Sequence, residues 1–209
     1  MSVDTQIFQA INWFVRATPW LHTPMLIYTT YGVVLFAALL LGGWWVARQQ
    51  ADPRVMAAAV WAPIGVLLAV GINQPIAGAV GETRPCRALS NIVVIATCGT
   101  DSSFPSDHAV MAGAVAGGLV WVTRRVLAWV TVTAALLIAL SRVYVAAHYP
   151  QDVLAGLVLG AVVSVAGYLL VRGVLTRLII ALQATLVRPV VTSAPASADP
   201  LAVTGPVSG

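Results

Sequence analysis

The chain has 209 residues, of which 59% are hydrophobic and only 9% are charged, and its mean hydropathy is +0.90. Soluble domains carry about 25% charged residues, so this composition excludes a soluble globular protein and indicates a membrane protein. All 11 basic residues are arginine, and against 7 acidic residues they leave a net charge of +4. This charge is spread too thinly to indicate a nucleic-acid partner.

The cysteine and histidine residues do not follow a known metal-binding pattern. The chain has 2 cysteines and 3 histidines, and no pair of histidines has the i, i+4 spacing of a metal-binding helix. We therefore expect the chemistry of this protein to need neither a metal ion nor another cofactor.

The first predicted element is an amphipathic helix within residues 1–22 that lies in the membrane interface. One helical face is apolar and the opposite face is polar, and Trp13 and Trp20 stand at positions that favour lipid headgroups. The apolar face consists of Ile7, Phe8, Ile11, Phe14 and Val15, and the polar face of Gln6, Gln9 and Asn12. No basic segment with a small-residue cleavage site precedes this helix, so we expect no secretory signal.

Uncharged runs follow, and each is a candidate transmembrane helix because a bilayer crossing needs about 20 apolar residues. The runs are 25–47, 55–72, 109–123, 126–141 and 153–171. The third and fourth runs are short and must extend into flanking polar residues. Together the runs predict an all-α integral membrane protein, a helical bundle of about five transmembrane helices within residues 23–188.

Small residues predict how two of these helices pack. Gly113 with Gly117, and Gly156 with Gly160, have the four-residue spacing that lets membrane helices approach closely. We expect the third and fifth helices to pack together, which would also bring their polar ends together.

The arginines predict the orientation of the bundle. By the positive-inside rule, the short connections that carry paired arginines are cytoplasmic. These arginines are Arg48 and Arg54, Arg124 and Arg125, and Arg172 and Arg177. The amino terminus is then expected outside and the carboxyl terminus inside, where residues 189–209, rich in Ser, Pro, Ala and Gly, are expected to form a disordered tail.

Polar clusters interrupt the apolar pattern at 82–85, 104–108 and 141–152, and this orientation places all of them at the outer face. Pro105 followed by Ser106 is typical of a helix start with Ser106 as the N-cap, which leaves free amide groups that bind anions. Arg84 and Arg142 each offer a planar guanidinium that matches the oxygens of a phosphate. The clusters therefore predict a phosphate pocket.

Two histidines at this pocket can take different roles in phosphoryl transfer, one as the nucleophile and one as the general acid and base. Asp152 follows His148 by four residues and can hold one tautomer of its ring, which leaves the other ring nitrogen free to attack phosphorus. His108 would protonate the leaving oxygen and later activate water.

The two cysteines are expected to form a disulfide. Cys86 and Cys98 both lie in the connection that the arginines place outside, where thiols oxidise. The bond would tie the segment after Arg84 to the segment before Ser106.

The polar clusters resemble the three signature motifs of the type 2 phosphatidic acid phosphatase (PAP2) superfamily. The third motif matches in full, and its spacing is highly specific. The likeness is carried by Arg84-Pro85, by Pro105-Ser106-Asp107-His108, and by Ser141-Arg142 followed by His148 and Asp152.

The resemblance implies a role for each matching residue. His148 is the nucleophile, Asp152 is its partner and His108 is the general acid. The phosphate contacts come from Arg84, Ser106 and Arg142.

Two positions depart from the superfamily pattern. The lysine that opens the first motif is replaced by Ala77, so Arg87 is the nearest candidate for the missing positive charge. Asp107, which we place among the phosphate-pocket residues, stands where most relatives have glycine. Aspartate at this place is similar to the bacterial undecaprenyl-diphosphate phosphatases of the bacitracin-resistance type.

The resemblance implies a metal-independent lipid phosphatase of the bacterial plasma membrane whose site opens to the outer face. The expected reaction removes the terminal phosphate of a polyprenyl diphosphate through a phosphohistidine and recycles the cell-wall carrier lipid. Two alternatives stay open: a phosphatase of phosphatidate, phosphatidylglycerol phosphate or a polyprenyl-phosphate sugar phosphate, and a phospholipid-binding or transport protein without turnover. The expected partners are the lipid phosphate and membrane lipids.

Overall fold

The computed structural model describes residues 2–122 and 125–195, and within these ranges it contains helices and loops but no strand. The predicted all-α class is confirmed. In chain order the α-helices of the described residues are α1 (Val3–Ala17), α2 (His22–Gln50), α3 (Pro53–Val80), α4 (Pro85–Ala88), α5 (Asp107–Leu119), α6 (Arg125–Tyr144), α7 (Pro150–Leu182) and α8 (Arg188–Val191), with 3-10 turns at Pro19–Leu21 and Val120–Val122.

Among the described residues, the 4 helices α2, α3, α6 and α7 are long and apolar enough to cross a membrane. α5 and the 3-10 turn after it form a shorter apolar helix over Asp107–Val122. The predicted apolar runs fall on these helices, except that the third run ends at Thr123, which lies outside the described residues. The chain is therefore a multi-pass membrane protein.

The short helix α5 lies among its longer neighbours. It packs against α3, α6 and α7, and most of its side chains are buried. A β-carbon added at Gly113 of α5 would overlap the carbonyl oxygen of Leu157, and one added at Gly160 of α7 would overlap that of Val110. The predicted close packing of these two helices is therefore confirmed, and it places the start of α5 beside the start of α7.

α3 is a single helix although it contains Pro63 and Pro75. Proline usually ends a helix in water, but inside a bundle the neighbouring groups can satisfy the carbonyls that it frees. The helix therefore continues past residue 72 and ends at Val80, and the following Gly81 has a φ of 61°, a left-handed conformation that glycine adopts without steric penalty. This extension places Asn73 and Gln74 near the polar end of the bundle.

The buried face of α1 includes one residue from the predicted polar face. Phe8 and Val15 are buried, but so is Asn12, which the helical pattern places on the polar face. The Asn12 side chain donates to the carbonyl oxygen of Val93 at 2.8 Å and accepts from the Val93 N–H at 2.9 Å. The connection between α4 and α5 packs against this face of α1, and its backbone groups need a polar partner. The spacing of apolar residues along α1 does not reveal this requirement.

The start of the predicted disordered tail is packed against the end of α2. Trp44 Nε1 donates to the carbonyl oxygen of Val190 at 3.1 Å, and the Ser193 N–H donates to that of Arg48 at 3.1 Å. Residues 189–195 therefore hold a defined position, which corrects the prediction for this part of the tail. Residues 196–209 lie outside the described residues.

Candidate active site

The predicted polar clusters meet at one end of the bundle, called the site end below. α3 and α6 end there, α5 and α7 begin there, and the connection between α4 and α5 completes the wall of a cavity of about 280 Å³. The cavity is lined by Gln74, Ala77, Arg84, Thr97, Gly99, Asp101, Ser102, Pro105, Asp107, His108, Arg142 and His148. All the clusters thus contribute to one cavity.

His148 lies in the tight connection between α6 and α7, and its ring is oriented by a backbone group. Nδ1 donates to the carbonyl oxygen of Ser103 at 2.7 Å, which places the proton on Nδ1 and leaves a lone pair on Nε2. Nε2 lies 3.0 Å from Arg84 Nη1 and 3.4 Å from Arg142 Nη2. Burial lowers the pKa of His148, and this effect and the two guanidinium charges outweigh the opposing effect of Asp152. The ring is therefore neutral near pH 7 and able to act as a nucleophile.

Asp152 lies behind His148 in the first turn of α7 and is fully buried. Its Oδ2 accepts from the Tyr149 N–H at 2.8 Å and from the hydroxyl of Ser103, and lies 3.6 Å from His148 Nδ1. The structure places His148 and Asp152 close together, as predicted. Their hydrogen bonds, however, are to Ser103, whose hydroxyl donates to Asp152 and whose carbonyl oxygen accepts from His148. Sequence reasoning missed this serine because a serine in a loop has no distinctive spacing.

Arg84 holds a buried guanidinium at the boundary of the cavity. It donates to the carbonyl oxygens of Ala147 and Asp101 at 3.0 and 3.2 Å, and its Nη2 forms a 2.7 Å salt bridge with Asp101. Partial burial opposes ionisation of Asp101, but the hydrogen bond and charge of Arg84 outweigh it and lower the pKa of the acid. Asp101 was not predicted, although it is the only acidic residue between Glu82 and Asp107. One edge of the guanidinium is therefore already paired with a carboxylate.

Arg142 reaches the cavity from the last turn of α6. Its Nη1 donates to the hydroxyl of Thr29 on α2 at 3.1 Å, a contact that the sequence does not indicate. Its Nε is buried and has no hydrogen-bond partner among the described residues. Buried charged donors are normally satisfied in native proteins, so this edge of the guanidinium suits an incoming anion.

Ser106 is the N-cap residue of α5, as predicted, but its side chain makes no capping hydrogen bond. Its N–H donates to the carbonyl oxygen of Asp152 at 3.1 Å, which joins the start of α5 to the start of α7. Its hydroxyl is buried and has no partner among the described residues. His108, two residues further on, lines the cavity. Ser106 itself is fully buried and is not among the residues that line the cavity, so the donors at this end of the cavity are the first amide groups of α5.

Asp107 lines the cavity as predicted, but its carboxylate is engaged with α3. Oδ1 accepts from Asn73 Nδ2 at 2.7 Å and from Gln74 Nε2 at 3.0 Å, and Asn73 also donates to the Pro105 carbonyl oxygen at 3.2 Å. An ionised carboxylate only accepts hydrogen bonds and repels a phosphate, which argues against a direct phosphate contact. In this structure Asp107 fastens α5 to α3, and its predicted place among the phosphate contacts stays a prediction. Asn73 and Gln74 directly follow an apolar run, and two adjacent amide side chains at that place were the sequence signal that could have indicated the hydrogen-bond partners of Asp107.

Arg87, predicted to replace the missing lysine, does not line this cavity. It is exposed on α4 and lines a neighbouring cavity of about 390 Å³, which shares Arg84 and Asp101 with the first. Ala77 does line the first cavity, so the position of the missing lysine faces the site. One helical turn of α4 separates Arg87 from buried Arg84, and a role for Arg87 in phosphate binding stays a prediction.

Cys86 and Cys98 form a disulfide whose Cα atoms are 6.0 Å apart. The bond joins α4 to the loop that carries Asp101. It therefore holds together the two segments that contribute Arg84 and Asp101 to their salt bridge. This is the connection that the sequence predicts.

Glu82 lies beside Asp152 but does not line the main cavity. Its carbonyl oxygen accepts from the Ser103 N–H at 2.8 Å, and its Oε1 accepts from Gln151 Nε2 at 3.0 Å. Burial, reinforced by the charge of Asp152, raises the pKa of Glu82 to about 7. Partial protonation of Glu82 near neutral pH lowers the negative charge around Asp152.

The arrangement suits the transfer of a phosphoryl group to and from histidine. Two guanidinium groups and a helix start supply donors for phosphate oxygens, while His148 supplies a nucleophilic nitrogen. In the described residues, no group of three or more His, Cys, Asp or Glu side chains could hold a metal ion. Fold and cavity together define a multi-pass membrane protein with a polar cavity that is lined by two histidines and two arginines.

Comparison with known proteins identifies the family. The sequence pattern of the PAP2 superfamily matches residues 58–175, and the chain belongs to this superfamily. The undecaprenyl-diphosphatase BcrC of Bacillus subtilis is 31% identical to it over 162 residues, which cover 78% of this chain and 81% of that protein. The resemblance that the motifs indicate is therefore confirmed.

Two solved structures share the fold. LpxE of Aquifex aeolicus has a TM-score of 0.54 and 23% identity, over 79% of this chain and 94% of that one. A transmembrane PAP2-type phosphatidylglycerolphosphate phosphatase from Bacillus subtilis has a TM-score of 0.56 and 19% identity, over 80% of this chain and 87% of that one.

Proposed function

We propose that this chain is a lipid phosphatase that removes the terminal phosphate of a polyprenyl diphosphate. The observation that carries the proposal is His148 Nε2, an unprotonated nitrogen 3.0 Å from Arg84 Nη1 and 3.4 Å from Arg142 Nη2. The activity named for the Bacillus subtilis relative supports the choice of a polyprenyl diphosphate as substrate.

In the first step, the lone pair on His148 Nε2 attacks the terminal phosphorus. The bond between that phosphorus and the bridging oxygen breaks, and protonated His108 gives its proton to the departing polyprenyl monophosphate. Arg84, Arg142 and the Ser106 hydroxyl hold the equatorial oxygens. The Nδ1 proton stays on His148 and is donated in a hydrogen bond to the Ser103 carbonyl oxygen, which together with the nearby Asp152 carboxylate stabilises the positively charged ring of the phosphohistidine.

In the second step, neutral His108 takes a proton from a water molecule, whose oxygen attacks the phosphorus. The phosphorus–nitrogen bond breaks, inorganic phosphate leaves, and His148 returns to its neutral form with the proton on Nδ1. The protonated His108 is ready for the next cycle.

We also propose that the site end faces the outside of the cell. The arginines Arg54, Arg125, Arg172 and Arg177 lie at the ends of α3, α6 and α7 remote from the site, as the positive-inside rule requires of the cytoplasmic end. The Cys86–Cys98 disulfide belongs to the site end, in keeping with an oxidising compartment. In this orientation α1 lies in the outer interface, where the exposed Trp13 and Trp20 favour lipid headgroups.

The test is phosphate release by the purified protein in detergent with excess EDTA. We expect a polyprenyl diphosphate to be hydrolysed faster than phosphatidate or phosphatidylglycerol phosphate, and we expect vanadate to inhibit. Faster turnover of one of the other lipids would replace the proposed substrate, and lipid binding without phosphate release would contradict the enzymatic role.

A matched pair of histidine variants tests the mechanism. His148→Ala should abolish turnover, whereas His22→Ala should retain it, because the His22 ring contacts the Val15 carbonyl oxygen at 3.0 Å and does not line the cavity. Acid-labile, alkali-stable phosphate trapped on His108→Ala would identify the covalent intermediate. Substantial turnover by His148→Ala would refute the mechanism.

A further inference from the structure

A second cavity, of about 620 Å³, lies at the end of the bundle opposite the site. It is formed by the start of α3, the later part of α7 and the 3-10 turn at Val120–Val122. Its lining residues are Arg54, Val55, Trp121, Tyr168, Arg172, Gly173, Thr176 and Arg177.

Guanidinium groups from two helices converge on this second cavity. Arg172 and Arg177 share one face of α7 with Gly173 and Thr176, and Arg54 joins them from the first turn of α3. Within the described part of the chain, no hydrogen bond or ion pair engages these three guanidinium groups. The neighbouring carboxylate of Asp52 accepts from the Arg54 backbone N–H at 2.8 Å as the N-cap of α3. The second cavity therefore has excess positive charge.

The rest of the second cavity is lined by aromatic side chains and has open space next to Gly173. The rings of Trp121 and Tyr168 pack with centroids 5.5 Å apart, and the buried indole N–H of Trp121 has no acceptor among the described residues. A β-carbon added at Gly173 would meet no heavy atom within 4 Å. Beside this opening, Leu170 and Val174 of α7 are 84% and 69% exposed. The charged wall is thus continuous with an apolar helix face.

We propose that this second cavity binds the phosphate group of an anionic phospholipid. Planar guanidinium groups match phosphate oxygens, so Arg54, Arg172 and Arg177 would surround the headgroup. The acyl chains would lie along the exposed apolar face of α7 that carries Leu170 and Val174. The positive-inside rule also favours arginines at this end, but it requires neither a shared cavity nor unpaired guanidinium groups.

The experiment measures lipid binding to the detergent-solubilised protein by native mass spectrometry, with phosphatidylglycerol as the probe. Arg172→Gln should weaken binding about tenfold, the value of one lost hydrogen bond to a charged group. Arg125→Gln is the matched control, because it removes one charge from the same end but does not line the cavity. Equal losses in both variants would overturn the proposal, since general attraction to a positive surface would then explain the binding.

A second variant fills the cavity without changing its charge. Gly173→Leu should also weaken phosphatidylglycerol binding, while Gly71→Leu should not, because Gly71 has similar open space but lies elsewhere. Thermal unfolding of all variants verifies that they fold. Unchanged binding by folded Gly173→Leu would overturn the proposal.

Inorganic phosphate distinguishes a lipid headgroup from a soluble anion. We expect millimolar phosphate to displace little phosphatidylglycerol, because it lacks contacts with the apolar face of α7. If phosphate alone binds the wild type as tightly as the lipid does, and Arg172→Gln abolishes both, then a phospholipid is the wrong occupant. Phosphatase activity of Arg172→Gln in detergent should equal that of the wild type, which separates this test from that of the active site.

Discussion

The contact between α5 and α7 allows a test of how packing positions the active site. Gly156 of α7 faces the first turn of α5, where its nearest neighbours are Ser106, Ala109 and Val110. A β-carbon added at Gly156 would lie 2.8 Å from the Ser106 carbonyl oxygen, 2.9 Å from Ala109 Cβ and 3.1 Å from the Val110 nitrogen. Gly156→Ala therefore pushes the start of α5 away from α7.

The size of the effect follows from these distances. Carbon atoms in contact prefer about 3.5 to 4.0 Å, so the Ala109 contact alone is too short by roughly 0.6 to 1.1 Å. Overpacking of this kind costs about 1 to 3 kcal/mol, offset by up to about 1 kcal/mol from the better helix propensity of alanine. A displacement near 1 Å at a reacting group can cost about 100-fold in rate. We therefore expect stability to fall by at most about 3 kcal/mol and kcat to fall by about 10- to 100-fold.

The assay compares phosphate release and thermal unfolding in the same detergent. Gly71→Ala is the matched control, because no heavy atom lies within 4 Å of a β-carbon at Gly71. That variant should keep wild-type kcat and KM and be equally or slightly more stable. Wild-type kcat and KM in a folded Gly156→Ala protein would refute the idea that this contact sets the geometry of Ser106 and His108.

Three further predictions concern residues around Arg84 and Asp152. Ser103→Ala removes the hydroxyl's hydrogen bond to a buried carboxylate, worth about 1.5 to 3 kcal/mol, but keeps the backbone carbonyl that accepts from His148. It should lower kcat about 10- to 100-fold with little change in KM, and an unchanged kcat would exclude a positioning role for the Ser103 hydroxyl. Glu82 has its pKa raised from 4.5 to about 7, so the folded state favours its neutral form, and this stabilisation is full below the unfolded pKa and lost as pH rises through about 7. The stability of the wild type relative to Glu82→Gln should therefore decline from about pH 5 to about pH 8 in thermal unfolding, and a flat difference would contradict the shift. Arg87→Ala should leave KM within about twofold of the wild type, whereas Arg84→Ala should lower kcat about 100-fold or more; a large rise in KM for Arg87→Ala would restore the original expectation that Arg87 replaces the missing lysine.

The sequence by itself determined the fold class and the main components of the site. Long apolar runs can satisfy their backbone groups in a bilayer only as helices, so the all-α bundle follows from composition and run length. Arg84, Arg142, His108 and His148 stood out because charged and polar side chains are costly at the ends of apolar helices and are retained there for a reason. Their spacing also indicated the superfamily.

Only the tertiary structure decided which neighbours hold these groups. Ser103 connects His148 to Asp152, Asp101 pairs with Arg84, and Thr29 supports Arg142, yet each partner comes from a different element from the residue that it holds. Sequence separation carries no signal for such contacts. They depend on how α2, α6 and the connection between α4 and α5 meet at the site end.

The differences between the predicted and the observed surroundings of Asp107 and Arg87 have the same physical origin. Asp107 and Arg87 were assigned by residue type and by distance along the chain, which does not reveal the direction of a side chain. In the folded chain Asp107 accepts hydrogen bonds from the amides of Asn73 and Gln74, and Arg87 lies one turn beyond Arg84 on the exposed side of α4. Charge and hydropathy thus determined which residues gather at the site end, and the packing of the helices determined which of them line the cavity.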